Sequence, residues 1–128
     1  MSQIGSIAAL GMTFQATRMA VAASNIVNAR VSVPATAQGR ILDSLYAPRA
    51  VAGVSLAGGG VRAEIVPVTP ASILAFDTTS PTGFSALPNI DLASQMVTMM
   101  SAATSYKAAA RILAVDSELS GTLAKILA

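Results

Sequence analysis

The segment Pro88-Asn89-Ile90-Asp91-Leu92 opens a stretch, continuing to Ala128, that decides how this chain folds. Beyond Leu92 the sequence has no proline, and Gly121 is the only glycine. Apolar residues recur there at steps of three and four, which places them on one stripe of a helix. They form two successive rows: Leu92, Met96, Met99, Ala103, Tyr106, Ala110 and Leu113, followed by Ile112, Val115, Leu119, Leu123 and Ile126. The stretch predicts one helix of about 35 residues, roughly three times the mean length in globular proteins.

The start of this helix and its need for a partner also follow from the sequence. Asp91 is a suitable N-cap, because its carboxylate can accept a hydrogen bond from a backbone N–H of the first turn. The chain is 53% hydrophobic and 11% charged, where about 25% charged residues is usual. Eight basic and six acidic residues cannot cover the surface of a 128-residue chain. We infer that other subunits or lipid cover part of it.

Residues 3–29 predict a second long helix. A row of mostly apolar or small residues, which also includes Arg18 and two asparagines, again follows steps of three and four: Ile4, Ile7, Gly11, Phe14, Arg18, Val21, Asn25 and Asn28. Most of this pattern is typical of an amphipathic core helix. Asn25 and Asn28 differ, because asparagine is a poor residue for a helix interior. The two can cap the helix end, or they can fix its register against a partner helix.

Between the helices the sequence predicts a small β-structure. Val51–Leu56 and Val61–Val68 are rich in β-branched or alternating residues, and they flank the turn signal Gly58-Gly59-Gly60. A phosphate-binding loop is the weaker interpretation of these glycines, because it needs a following Gly-Lys-Ser/Thr and a helix. The neighbouring segments are predicted as a loop over 30–50 with a short helical turn at 41–45, a short third strand over 73–76, and a polar linker over 77–88.

The residue inventory argues against catalysis. The chain has no cysteine and no histidine, which removes thiolate chemistry and the commonest general base. Asp116 and Glu118 lie two apart on a helix and therefore on different faces, and Lys107 and Lys125 have no serine–lysine motif around them. We predict no catalytic, cofactor-binding or metal-binding residue, no cofactor, no small-molecule substrate and no enzyme activity. Without a basic run, we also predict no nucleic-acid partner.

The N-terminus does not have the pattern of a cleaved signal peptide. No basic residue precedes the apolar run that starts at Ile4, and the first positive charge is Arg18. No window reaches the ~18–20 strongly apolar residues that a membrane span requires. If the protein acts outside the cytoplasm, we expect another route to export it.

Both ends of the chain resemble the bacterial flagellar basal-body rod protein family. The matching segments are Gly11-Met12, Arg18-Met19-Ala20-Val21, Asn25-Ile26-Val27-Asn28-Ala29, Asn89-Ile90-Asp91-Leu92, Gln95-Met96-Val97 and Tyr106-Lys107-Ala108. The sequence departs from the family pattern at Gln95, where Glu is usual, at Val27, where Ala is usual, and over 30–34. The short middle region, Pro88 and the segment 60–65 are most similar to the proximal rod proteins of the FlgC type.

The resemblance implies a mainly α fold: the N- and C-terminal long helices pair as an antiparallel coiled coil, with a small β-hairpin insertion between them. The segments are then an N-terminal rod helix (1–30), a loop and small β-hairpin region (31–88) and a C-terminal rod helix (89–128). The assembly interface is predicted to include Ile7, Phe14, Val21, Asn25, Asn28, Asn89, Asp91, Leu92, Met96, Met99, Tyr106, Leu113, Leu119 and Leu123.

The function implied is that of a structural subunit of the proximal rod in the flagellar basal body. Such a subunit polymerises helically through its terminal helices, with itself and with other rod proteins, and transmits torque across the periplasm. It is exported without a cleaved signal peptide by the flagellar type III apparatus. A small helical adaptor or export chaperone, acting as a soluble dimer, is the alternative. A membrane-surface protein ranks last, because the polar helix faces lack the Lys and Arg that anionic lipid attracts.

Overall fold

A computed structural model describes residues 2–128 of the chain, and within them the fold has two helices and five strands. In chain order these are α1 (Gln3–Asn28), β1 (Val33–Pro34), β2 (Arg49–Ser55), β3 (Val61–Pro67), β4 (Ser72–Phe76), β5 (Phe84–Pro88) and α2 (Leu92–Leu127). The two long helices predicted from periodicity are confirmed, with α1 at 26 residues and α2 at 36. The N-cap of α2 is Asp91, as predicted, and its side chain accepts hydrogen bonds from the backbone N–H groups of Ala93 and Ser94.

The two helices pack against each other in antiparallel orientation. At one end, Ser2 donates a hydrogen bond from its hydroxyl to the carboxylate of Asp116. At the other end, the side-chain amide of Asn25 donates to Oε1 of Gln95 at 3.1 Å. Since Asp116 is level with the start of α1, residues 117–127 of α2 extend about three turns beyond it. We call residues 117–127 the overhang.

The hairpin of β2 and β3 lies along α1. Its strands pair in antiparallel register from Arg49↔Pro67 to Ser55↔Val61, which confirms the predicted hairpin. Gly59 and Gly60 form the turn with φ of 85° and 91°, a conformation that favours glycine. A Cβ on Gly60 would lie 2.8 Å from Cδ1 of Leu10, so glycine also allows the close approach to α1.

The second sheet has three strands in the order β1-β5-β4, all antiparallel. Its small core consists of Val33, Ala35 and Ala86, with the partly buried Leu45 packed against them. The prediction of a polar linker over 77–88 is wrong, because its last five residues form the central strand β5. The short helical turn expected at 41–45 is also wrong; Ile41 instead forms an isolated antiparallel bridge with Ala35.

These sheets correct the predicted fold class. A mainly α coiled coil with one small hairpin insertion does not describe a chain whose described residues form two helices and two antiparallel sheets. The physical reason is that α1 packs on two sides. One side contacts α2, while Ile7, Leu10 and Phe14 contact the glycines of the β2–β3 hairpin. No helix within residues 2–128 is sufficiently long and apolar to cross a membrane.

Candidate assembly interface

The contact between the two helices is built from small and polar side chains. In α1 the buried positions are Gly5, Ala8, Val21, Ala22 and Asn25. In α2 the facing positions recur every seven residues, at Gln95, Ala102, Ala109 and Asp116. Ala102 is fully buried, and a Cβ on Gly11 would lie 3.9 Å from Cβ of Ala109. Such side chains let two helix backbones approach closely, and they leave little large apolar surface inside the pair. We call this contact the inner seam.

Asn25 is the polar centre of the inner seam. It is 1% exposed, and its side chain makes four hydrogen bonds. Its amide donates to the carbonyl of Arg49 at 2.7 Å and to Gln95, while its Oδ1 accepts from the hydroxyl of Tyr46 at 2.9 Å and from the N–H of Arg49 at 3.3 Å. One side chain therefore connects α1, the start of β2 and α2. Of the two roles predicted for Asn25, the structure shows the contact with a partner helix.

Most of the large apolar side chains of α2 are exposed. Leu119 is 58% exposed, and Ile126, in the last turn, is 74% exposed. Every residue of the overhang is exposed, since no other helix or strand of the described residues reaches it. The exposed large apolar residues of α2 are Met96, Val97, Met99, Met100, Ile112, Val115, Leu119, Leu123, Ile126 and Leu127. We call this set the outer face.

An apolar groove continues the outer face across the end of the helix pair. Ile4 of α1 and Ile112, Val115 and Leu119 of α2 line it, and all four side chains are at least half exposed. Burial of a side chain of this size contributes about 1.5–3 kcal/mol. A neighbouring chain that covered the groove would therefore gain substantial binding energy.

The start of α2 is fixed by a set of local hydrogen bonds. Asn89 donates its backbone N–H to Ala71 and its side-chain amide to the carbonyl of Pro70, each at 2.9 Å. Hydrogen bonds from the Ser94 hydroxyl and backbone, and then from the Ala93 backbone, lower the pKa of Asp91 below its usual value. The junction between the sheet and the helix is thus held from both sides.

The structure divides the predicted interface residues into two groups. The first group makes contacts within the chain. Ile7 and Phe14 face the hairpin, and Val21 and Asn25 are buried. Asn28 donates a hydrogen bond to the carbonyl of Ser24, while Asn89 and Asp91 hold the junction before Leu92. The second group, Met96, Met99, Leu119 and Leu123, belongs to the outer face. Tyr106 and Leu113 are partly buried and belong to neither group.

Sequence reasoning missed several residues of the inner seam. Ser2 caps α1, since its hydroxyl oxygen accepts from the N–H of Gly5, and it also reaches Asp116. Tyr46 was assigned to a loop without a role. The inner seam has a signal in the sequence, because its α2 residues recur every seven positions: Gln95, Ala102, Ala109 and Asp116. Within residues 2–128, no group of three or more His, Cys, Asp or Glu side chains could hold a metal ion.

The sequence is similar to those of known flagellar proteins. The family described as "Flagellar basal body rod FlgEFG protein C-terminal" matches residues 82–126, which include β5 and nearly all of α2. The "Flagellar basal-body rod protein FlgC" of Escherichia coli O6:H1 is 33% identical over 116 residues, covering 86% of this chain and 85% of the relative. The protein of the same name from Escherichia coli O157:H7 matches with the same identity and coverage.

These relatives are named for a structural part of the flagellum, not for an enzyme activity. Their similarity extends over most of both chains, so it is not limited to the C-terminal helix. The resemblance seen in the segments at the two ends is confirmed. The chain therefore belongs to the flagellar basal-body rod protein family, which is located in the basal body of the flagellum, and it is similar to the FlgC proteins of that family.

Proposed function

We propose that this protein is a structural subunit of the proximal rod, that it polymerises helically through its terminal helices, and that it transmits torque. The observation that carries the proposal is the distribution of side-chain size around α2. Small residues fill the inner seam, and the large apolar residues form the outer face. A monomer leaves the outer face in water, whereas a helical assembly covers it.

The shape of the helix pair also supports an open assembly. The overhang belongs to one end of the molecule only, so the two ends of the helix pair differ. A contact between unlike surfaces repeats without closing when its rotation does not complete a ring, and it then produces a filament. Other rod proteins with similar terminal helices would extend the same contact at either end. The FlgC relatives are rod proteins by name, which agrees with this role.

Export is the second part of the proposal. A rod subunit must leave the cytoplasm, and we propose that the flagellar type III apparatus carries this chain unfolded. A fold with a small core is compatible with unfolding before export. In residues 2–128 the buried core of the three-stranded sheet contains only Val33, Ala35 and Ala86.

A complementation experiment tests the proposal. A strain that lacks its own copy of this protein receives the wild-type chain or the Met96→Asp variant. Wild type is expected to restore swimming and to be present in purified basal bodies. Met96→Asp, which places a charge on the outer face, is expected to be secreted into the medium but absent from basal bodies.

Ser55→Asp is the matched control, because Ser55 is an exposed residue of the β2–β3 hairpin and does not lie on α2. It is expected to swim like the wild type. Wild-type protein that restores swimming without entering the basal body would contradict a structural role. Normal incorporation of Met96→Asp would contradict the assignment of the outer face to assembly.

A further inference from the structure

A cleft of about 170 Å³ lies between α1, β2 and α2, close to the end of α1. Its polar lining is formed by Arg18, Arg49, Gln95 and Thr98, and none of the described residues that line it is acidic. Two guanidinium groups at one small cleft repel each other unless an anion lies between them. Arginine is also the side chain best suited to pair with a carboxylate, because it can offer two parallel N–H donors. The chemistry of the cleft therefore fits a carboxylate.

Arg18 is held in place before any ligand binds. Its Nη1 donates to Oε1 of Gln15 at 2.9 Å, and its guanidinium carbon lies 5.8 Å from the centre of the Phe14 ring. A guanidinium has five N–H donors, so these contacts leave several of them for an anion. A side chain positioned in this way loses less conformational entropy on binding.

The chain itself contains a suitable carboxylate, on the overhang. Four of its six acidic residues accept hydrogen bonds within the chain: Asp43, Asp77, Asp91 and Asp116. Within residues 2–128, the carboxylates of Glu64 and Glu118 accept none. Glu64 lies in β3, whereas Glu118 lies on the overhang, against which no other element of residues 2–128 packs.

The spacing along α2 allows Glu118 of one copy to reach the cleft of another. Thr98 and Glu118 are about 30 Å apart along the helix axis, at 1.5 Å per residue. A second copy displaced by this distance along α2 places its Thr98 level with Glu118 of the first copy. The same displacement brings Leu119 of the first copy level with the exposed Met99 of the second.

We propose that the cleft between Arg18 and Arg49 binds the carboxylate of Glu118 from a second copy of this chain. The ion pair fixes the axial displacement of neighbouring subunits, while the outer face supplies apolar contact beside it. The contact joins unlike surfaces, so it repeats from copy to copy. This inference rests on the proposed function, since it specifies which surfaces meet in the assembly.

A charge-swap experiment tests the pair in the complemented strain. Glu118→Arg and Arg49→Glu are each expected to lower incorporation into basal bodies by about tenfold or more, because each places like charges together. The double variant restores opposite charges and is expected to return to within about twofold of wild type. Both side chains are exposed, so neither change is expected to unfold the monomer.

Glu64→Arg and Arg62→Glu are matched controls, since they reverse exposed charges on β3. Both are expected to incorporate normally. Normal incorporation of Glu118→Arg, or a double variant no better than the singles, would overturn the proposal. If Arg49→Glu lowered incorporation but Glu118→Arg did not, the carboxylate that binds the cleft would belong to a different protein. That result would also overturn the proposal. Absence of wild-type protein from basal bodies would instead contradict the proposed function itself.

Cysteine cross-linking gives a second and independent measurement. The chain has no cysteine, so Ala50→Cys at the cleft and Thr122→Cys, one turn after Glu118, introduce the only two thiols. The two positions are far apart within one copy. Oxidation of flagellated cells is expected to produce a ladder of linked subunits, and each single-cysteine variant is expected to produce none. A double variant that stays monomeric in intact basal bodies would overturn the contact.

Discussion

The inner seam and the outer face use opposite kinds of side chain, although both belong to the same helix. The inner seam places Gln95, Ala102 and Ala109 of α2 against α1. In the same paired part of α2, the outer face exposes Met96, Val97 and Met100. In an ordinary globular helix the large apolar residues face the core and the small or polar ones face water. The part of α2 that packs on α1 reverses much of that arrangement.

The reversal indicates that the two surfaces have different tasks. Small residues allow a close fit between two helices of one chain, and the hydrogen bonds of Asn25 fix their register. Under the proposed function, the larger apolar area is available for neighbouring chains. Folding of the monomer and assembly into the rod are then expected to be separable by substitution.

The largest expected effect on stability is that of Asn25→Ala. The substitution removes the hydrogen-bond partner of the Gln95 side chain and of both backbone groups of Arg49, and it leaves the Tyr46 hydroxyl with Ser24 alone. We expect a loss of about 3 kcal/mol in the free energy of unfolding. Urea unfolding followed by far-UV circular dichroism measures it.

Asn28→Ala is the control for Asn25. Asn28 makes its hydrogen bond to the carbonyl of Ser24 within its own helix, so its removal is expected to cost less than about 1 kcal/mol. Equal losses for the two variants would show that Asn25 has no special role in joining the helices and the hairpin.

A smaller effect is expected when the inner seam is overfilled. Ala102→Leu adds a large side chain at a position that is 0% exposed, and we expect it to destabilise the chain by about 1–3 kcal/mol. Ala108→Leu makes the same change at an exposed position of α2 and is expected to alter stability by at most about 0.5 kcal/mol. Thermal unfolding of both variants measures the difference. A tolerated leucine at 102 would contradict the close packing of the seam.

A still smaller effect is expected on how stability depends on pH. It comes from Asp91 and Asp77, because hydrogen bonds lower the pKa of both carboxyl groups. For Asp77 the hydrogen bonds come chiefly from the side chains of Thr79 and Ser85. The folded state binds fewer protons at these groups than the unfolded state does. Their stabilisation is therefore complete above the unfolded pKa of about 3.9 and is lost as the pH falls through the lower folded pKa.

The measurement is the midpoint of thermal unfolding from neutral pH down into the acid range. Asp91→Asn retains a capping side chain but cannot titrate, and it is expected to show a smaller decrease in the midpoint below about pH 4. An unchanged acid response in the Asp91→Asn, Asp77→Asn double variant would mean that other groups control acid unfolding.

The sequence contained enough information for the helices, the hairpin and the cap at Asp91. These features depend on local signals: the period of apolar residues, a glycine-rich turn and a capping carboxylate. The strand β5 lacks such a signal. It pairs over its full length with β4, but the intervening residues 77–83 and its own neighbourhood of Ser, Thr and Pro are typical of a linker.

The sequence also could not show which helix stripe faces the chain itself. Periodicity placed Leu119 and Leu123 on one stripe, but that stripe is buried only if a neighbour covers it. Ile7 and Phe14 share a stripe with Asn25 in the sequence pattern; the first two contact the hairpin, whereas Asn25 contacts both the hairpin and α2. Periodicity alone thus cannot tell which stripe is buried within the chain, and the tertiary contacts decide it.

The variant with the smallest expected change in monomer stability also gives the most direct test that the inner seam and the outer face have separate roles. In the variant with Leu119→Asp and Leu123→Asp, two charges replace exposed apolar side chains. We expect the purified monomer to unfold within about 0.5 kcal/mol of wild type, while the variant is absent from basal bodies and its strain does not swim. The control variant, with Ser117→Asp and Ala124→Asp, adds the same charge to the opposite side of the overhang and is expected to swim. A destabilised monomer, or normal swimming by the leucine variant, would contradict the assignment of the outer face to assembly.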